Sequence, residues 1–475
     1  MNIPLALTYD DVLLVPRYST VKSRSDVNIR TKLTKNITIN NPIISANMDT
    51  ITEAEMCIAM ARHGSIGIIH RFNSIEEQAE MVKKVKRAET YRVDSPYTCL
   101  PNLSVAELRQ MMKEKEVGSF IVVDEDDRLS GIVSTRDLLF ADNTDLVIDV
   151  MTLRSDMITG APETTLEEAR LILQRNKLEK LPLVNADDHC VGLITAKDIK
   201  YKMQRPFASL DHDGKLLVGA AIGVKDDYLQ RAEALVAAGV DVLVIDIAHG
   251  HSLLAIEATQ QVKSHFPKIE LIAGNVATAE GTDDLIRAGA DAIKVGVGPG
   301  SICITRDITG CGVPQLTAVM NCVEAARKHD IPIIADGGIK KSGDIVKALA
   351  AGANTVMLGS LLAGTDECPG EQINKGGQKV KVIRGMAGYG ANLSKNLREK
   401  KDTRDVFQIT PEGVEAVVPY RGKVADVLNG LIGGLKSGVS YCGAISIESL
   451  QENAEFVRIT QAGRIESTHH DVKVI

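Results

Sequence analysis

Eight short apolar runs, each ending in or running into a small polar residue, constrain this chain more than any other feature. They lie at about 42–46 (Pro-Ile-Ile-Ser-Ala), 66–70 (Ile-Gly-Ile-Ile-His), 216–221, 242–246 (Val-Leu-Val-Ile-Asp), 269–273, 291–296 (Asp-Ala-Ile-Lys-Val-Gly), 331–335 and 354–358. A strand that is apolar at nearly every position has both faces covered, as in a parallel sheet packed between helices. Helical periodicity fills most of the gaps, at 52–62, 75–85, 227–238, 252–265, 281–288, 316–328 and 343–351. Strand and helix alternating eight times predict an α/β fold, a (β/α)8 TIM barrel, with a doubly wound open sheet as the alternative. Helix-to-strand junctions such as Ala238-Gly239-Val240-Asp241 and Ala288-Gly289-Ala290-Asp291 predict helices that glycine stops in the left-handed conformation.

The alternation breaks once. Residues 90–205 separate the second run from the third, leaving 1–89 and 206–475 to the barrel. The interruption repeats internally: Gly131-Ile132-Val133-Ser134-Thr135-Arg136-Asp137 returns 61 residues later as Gly192-Leu193-Ile194-Thr195-Ala196-Lys197-Asp198. A helical stretch and an apolar run precede each copy, so an inserted α+β domain is expected in a surface loop, where insertion is tolerated. The Ser/Thr and Asp of each copy fit either a helix cap or a ligand contact.

A formal net charge of −7 over 475 residues argues against a general polyanion-binding surface, and no dedicated nucleic-acid site is expected. The 8 cysteines form no Cys-x-x-Cys pair, which fits a reducing, cytoplasmic setting rather than a disulfide or structural zinc scaffold. Met1-Asn2-Ile3-Pro4 does not open a basic-then-apolar leader, and no apolar run is long enough to span a membrane.

In such barrels the chemistry sits at the carboxyl ends of the strands. There, run six continues as Gly296-Val297-Gly298-Pro299-Gly300-Ser301-Ile302-Cys303-Ile304-Thr305-Arg306, run seven as Asp336-Gly337-Gly338, and run eight as Gly359-Ser360. Glycines on three consecutive loops can bring backbone N–H groups to a phosphate, helped by Ser301 and Ser360. Cys303, in the polar loop, is placed to attack an electrophilic carbon as a thiolate. Cys57, Cys99 and Cys322 lie in or beside element patterns and read as small hydrophobes. Thr305 could position a leaving group or solvent; Arg306 could be structural or stabilise negative charge. Asp246, Asn275 and Asp336 end or follow strands, and suit sugar hydroxyls or amides. His249 and His251 lack a third ligand at zinc spacing. Residues 384–422 form a long polar, basic connection, expected to be a mobile flap.

Several segments together resemble the IMP dehydrogenase/GMP reductase family over nearly the whole chain. They are Leu7 through Pro16, Ala46-Asn47-Met48-Asp49-Thr50, Ala273-Gly274-Asn275-Val276, Gly298 through Thr305, Ala335-Asp336-Gly337-Gly338 and Met357-Leu358-Gly359-Ser360. The repeat at 90–205 resembles a tandem CBS (Bateman) module, which implies regulatory adenine or guanine nucleotides. The family resemblance implies a purine mononucleotide substrate, NADPH or NAD as cofactor, a Cys303 thioimidate at purine C2, and a homotetramer or octamer. Carried over by motif, Cys303, Thr305, Arg404 and Glu412 are the catalytic candidates. Asn47, Met48, Ser301, Asp336, Gly338, Gly359, Ser360, Gly385 and Met386 are candidates for holding substrate, with Asp336 at the ribose. Asp246 and Asn275 would lie near the cofactor. Gly298, Gly300 and Cys303 resemble a monovalent-cation (K+) loop, with Glu466 as a further ligand.

Two reactions share the thioimidate. The dehydrogenase passes hydride from IMP to NAD and hydrolyses the adduct to XMP. The reductase expels ammonia from GMP and accepts hydride from NADPH to give IMP. The insertion, Pro411-Glu412-Gly413-Val414-Glu415 and the tail from Glu466 to Val472 resemble the dehydrogenase. Asn47, where dehydrogenases usually carry Pro or Ala, resembles the reductase, as do Ile245 through Ser252 and Pro314 through Cys322. The dehydrogenase Arg-Tyr pair, whose arginine activates water, becomes Arg404-Asp405, and the aspartate would favour a protonated, poorer base. A second dehydrogenase tyrosine, before Arg-Gly-Met, is Ile383. The reductase glutamate just after Gly-Met is missing around 387–390, which leaves Glu399 or Glu412 to partner Thr305. GMP reductase is the expected reading, IMP dehydrogenase the alternative, and a nucleotide-sensing paralogue without turnover the second alternative.

Overall fold

The computed structural model describes residues 3–88, 93, 96–115, 117–197, 199–200, 206–398, 410–469 and 472. The eight apolar runs become β1 (Ile43–Ser45), β2 (Ile66–Ile69), β3 (Gly219–Ile222), β4 (Val242–Asp246), β5 (Glu270–Val276), β6 (Ala292–Val295), β7 (Ile333–Asp336) and β8 (Thr355–Leu358). They form one closed parallel barrel in sequence order, with β2 paired to β3 and β8 to β1. The open-sheet alternative is thereby excluded. Ile66, Ile68, Val242, Val244, Ile272, Ile334 and Met357 fill the barrel. Burying each such large aliphatic side chain stabilises the fold by about 2 kcal/mol.

Helices α1 (Ala54–Arg62), α2 (Ile75–Arg87), α3 (Tyr228–Ala237), α4 (Leu253–His265), α5 (Ala279–Arg287), α6 (Gln315–Arg327), α7 (Ser342–Ala350) and α8 (Val424–Tyr441) follow the strands in turn. Helix α2 starts at a reciprocal cap. The Glu77 N–H donates to Ser74 Oγ, and the Ser74 N–H to the Glu77 carboxylate, both at 3.1 Å. Helices α3 and α5 stop at Gly239 and Gly289, with φ of 89° and 107°, as their junction sequences predict.

The chain divides into two compact units, 1–88 with 207–475, and 89–206. The second unit repeats itself in three dimensions. A helix (Val105–Lys115) and a hairpin (Ser119–Val123, Leu129–Ser134) recur 61 residues on as Leu166–Asn176, Lys180–Val184 and Cys190–Thr195. Even the turns match: Asp124 Oδ1 accepts the N–H of Asp126 and Arg128, and Asn185 Oδ1 those of Asp187 and His189. Ser134 donates to Asp137 at 2.7 Å, which fits the turn-capping reading; Asp198 lies outside the described residues. In the barrel unit, Lys86 Nζ ion-pairs with Asp211 at 2.8 Å and Asp241 at 2.6 Å, tying together the chain on either side of the insertion.

A three-stranded antiparallel sheet (Gln372–Lys375, Gln378–Arg384, Glu415–Pro419) follows β8. It corrects the picture of 384–422 as an unbroken connection. Arg384 stands opposite Glu415 at the end of a strand pair, and a helix spans Tyr389–Arg398. None of the residues of the Glu415–Pro419 strand is buried, although three of them, Ala416, Val417 and Val418, are apolar. No helix among the described residues is long and apolar enough to cross a membrane.

Candidate active site

At the mouth of the barrel a cleft of about 500 Å³ is lined by Asn47, Met48, Arg71, Asp246, Asn275, Lys294, Gly298, Cys303, Thr305, Asp336, Met386 and Glu412. A side arm of about 120 Å³ shares Met48, Gly300, Asp336 and Met357 with it, and is walled by Ser301, Gly338, Gly359 and Ser360. Residues expected to hold the base, the ribose and the phosphate are thus brought together. Lys340 also lines the side arm and was not anticipated.

Cys303 sits in a turn closed by its own N–H to the Gly300 carbonyl, 3.2 Å. Its sulfur is 3.1 Å from Thr305 Oγ1, which donates to Glu412 Oε2 at 2.7 Å. Glu412 arrives from far along the chain through backbone pairing. The Ile304 N–H donates to the Glu412 carbonyl at 2.9 Å, and the Val414 N–H to the Ile302 carbonyl at 3.0 Å. On the other side, Gly385 N–H donates to the Val414 carbonyl at 3.0 Å and Glu412 N–H to the Ala387 carbonyl at 3.1 Å. A Cβ on Gly413 would stand 3.0 Å from Gly385 Cα, and one on Gly385 2.9 Å from Gly413 Cα. Only paired glycines let these backbones close on each other. Gly385 lines the cleft as expected, yet its missing side chain is needed first by Gly413.

Arg306 resolves toward structure: its Nε donates to the Val297 carbonyl at 3.0 Å and its Nη2 to the Val313 carbonyl at 2.6 Å, bracing the loop that carries Cys303. Cys57, Cys99 and Cys322 are buried, and burial pushes the Cys99 and Cys322 thiols up to about 11. Cys303 is partly exposed in the cleft.

Sequence reasoning missed Lys294. The signal was there: a single cation inside an apolar strand, which burial allows only with partners. Across the sheet Asp246 is in register with Gly274, and Gly274 with Lys294. Lys294 Nζ donates to Asp246 Oδ1 at 2.9 Å, to Asp336 Oδ2 at 3.1 Å, and to Asn275 Oδ1. A register shift between Gly274 and Val276 takes Asn275 out of the ladder. Its Nδ2 donates to Asp336 Oδ2 at 2.9 Å and to the Gly296 carbonyl at 2.8 Å. Burial alone would raise the Asp246 carboxyl, but Lys294 and Arg71, with bonds from Lys294 and Asn47, hold it below the usual carboxylate range. Burial likewise opposes the Lys294 charge, and Asp246 and Asp336 outweigh it, so the ammonium is held above its ordinary value.

Arg384 Nε donates to Asp49 Oδ2 at 2.7 Å, anchoring the antiparallel sheet to the loop after β1, and Met386 Sδ accepts the Asp49 N–H at 3.3 Å. Beside Asp246, the cleft has an apolar stretch of Phe72, Ile247 and Ala248 bounded by Arg71, which fits a flat ring with a polar edge.

The remaining expectations do not converge here. His251 Nε2 meets Asp284 Oδ2 at 3.0 Å, and among the described residues no group of three His, Cys, Asp or Glu could hold a metal. Gly298, Gly300 and Cys303 line the cleft together, while Glu466 ends an exposed helix (Gln461–Glu466) and is not among the cleft residues. Arg404 and Glu399 lie outside the described residues.

A family model described as "IMP dehydrogenase / GMP reductase domain" matches residues 6–470. The chain is 52% identical over 475 residues to inosine-5'-monophosphate dehydrogenase of Nitrosopumilus maritimus, covering 99% of each. It is 50% identical over 481 residues to GMP reductase of Leishmania donovani, covering 99% of this chain and 98% of that protein. A solved GMP reductase variant from Trypanosoma brucei, in complex with guanosine 5'-monophosphate, superposes with a TM-score of 0.94 at 47% identity, covering 99% of each chain.

Proposed function

The chain belongs to the IMP dehydrogenase / GMP reductase family, and from that premise we propose that this purine mononucleotide oxidoreductase is a GMP reductase. The observation that carries the thioimidate chemistry is the line Cys303 Sγ, Thr305 Oγ1, Glu412 Oε2, and the replacement of the dehydrogenase Arg-Tyr pair by Arg404-Asp405 turns the reading to the reductase. Cys303 sulfur attacks C2 of GMP and the bond from C2 to the amino nitrogen breaks. That nitrogen needs a proton to leave as ammonia. The proton lost by the thiol supplies it, passed along the Thr305 hydroxyl that Glu412 orients. The product is the C2 thioimidate. NADPH held beside Asp246 would supply a hydride to C2; the bond from C2 to sulfur then breaks, Cys303 leaves as the thiolate and takes a proton from solvent, its own having left with ammonia, and IMP departs. Asp336 holds the ribose, and Ser301, Gly338, Gly359 and Ser360 hold the phosphate in the side arm.

A dehydrogenase would have to activate water against the same adduct. The flap pair assigned to that task by the resemblance is Arg404-Asp405 here, without the tyrosine. Pro411 through Glu415 and the N. maritimus relative favour the dehydrogenase as the second reading. We assign the insertion, on its sequence motif and its structural repeat, to a tandem CBS module that binds adenine or guanine nucleotides, in a homotetramer or octamer.

The test is direct. Purified protein is mixed with GMP plus NADPH, and separately with IMP plus NAD, while absorbance of the reduced cofactor is followed and products are separated. Ammonia and IMP are expected from the first mixture. Steady XMP formation from the second overturns the reductase reading.

A further inference from the structure

We propose that Lys294 is a positioning residue that holds the nucleotide-side Asp336 and the cofactor-side Asp246 from one buried ammonium at the mouth of the barrel. The inference rests on the assignment of Asp336 to the ribose and Asp246 to the cofactor, and not on the direction of the reaction. Lys294 is 2% exposed, and its ammonium donates to these two carboxylates and to Asn275. Both Lys294 and Asn275 donate to the same oxygen of Asp336, Oδ2. Oδ1 has no partner among the described residues and is left for a ribose diol. A diol donates about twice as strongly to a carboxylate as to a neutral carboxyl, and both of its bonds need the carboxylate correctly turned, so the lysine supplies charge and aim. Without it two carboxylates from β4 and β7 would share one pocket, and the first proton would go to one of them. Arg71 after β2, Asn47 after β1, and Cys303, Thr305 and Glu412 also line the cleft, and the buried Tyr9 lies within electrostatic reach of Asp336; Arg71 and Asn47 favour ionised Asp246.

Lys294→Met, Asp246→Asn and the double variant are compared for GMP binding by calorimetry without cofactor, and for KM and kcat between pH 5.5 and 8.5. Lys294→Met is expected to weaken GMP binding about ten-fold at neutral pH and to add an acid limb falling about ten-fold per pH unit. The double variant removes one of the competing carboxylates. It is expected to recover GMP binding to within about three-fold of wild type and to lose the acid limb, while kcat stays low. Lys294→Gln replaces Lys294→Met if the methionine variant does not fold; if neither folds alone, recovery of folding and GMP binding in the double variant supports the charge role. Unchanged GMP affinity and pH profile in a folded single variant would overturn the inference. So would a loss, or a failure to fold, that Asp246→Asn does not relieve, because it assigns Lys294 to packing alone. If wild type turns over IMP and not GMP, the function proposed above fails, and the same variants are read with IMP.

Discussion

At the residue scale, the site separates the group that forms the bond from the groups that manage its protons. Cys303→Ser is expected to abolish turnover while GMP still binds, because the ribose and phosphate contacts do not pass through sulfur; stopped assays with calorimetry check this. Thr305→Ala and Glu412→Gln should each lower kcat with GMP by about 10²–10⁴-fold with little change in KM, since the proton is moved only in the transition state. Their effects should not add in the double variant, because Thr305 and Glu412 act through one hydrogen bond. The cysteine was legible from its glycine loop, and so was Thr305 two residues on. The choice of Glu412 over Glu399 was not: 107 residues separate it from Thr305, and no local pattern encodes that contact.

At the element scale, the segment 412–414, just before the Glu415–Pro419 strand, is the part that joins the loops of the site. It lies between the loops 302–304 and 385–388, with glycine backbones in contact. Gly413→Ala must push Gly385 Cα from 3.0 Å, and at about 1–3 kcal/mol of strain it should displace Glu412. Lost kcat with a thermal midpoint lowered by only a few degrees is the expected signature. Gly430→Ala on α8 is the control: a Cβ there meets nothing within 4 Å. It should leave kcat alone and stabilise by about 0.5–1 kcal/mol in a thermal melt, as helix propensity dictates. The barrel strands were legible because double-sided burial writes an unbroken apolar run. The sheet beside the flap was not, because its strands are short or interleave lysines with valines, and so write no unbroken apolar run.

At the scale of the molecule, the barrel unit is complete without 89–206. Lys86 and Asp211, 2.8 Å apart, show that the chain leaves and re-enters at nearly one point. Replacing 89–206 with a short flexible linker should therefore keep GMP turnover within a few-fold of the full chain. Any response to added ATP or GTP should disappear; steady-state assays of both proteins with and without each nucleotide measure this.

The sequence by itself determined the barrel, its interruption, the internal repeat and the catalytic cysteine. Each is written in local signals: apolar runs, a 61-residue echo, a glycine loop. Only the tertiary structure decided which acid serves Thr305, that Arg306 braces a loop, and that Lys294 binds Asp246 and Asp336. Those assignments depend on strand register and on backbone approach between segments far apart in the chain. A buried charge announces in sequence that it needs partners, but only the closed barrel says which ones.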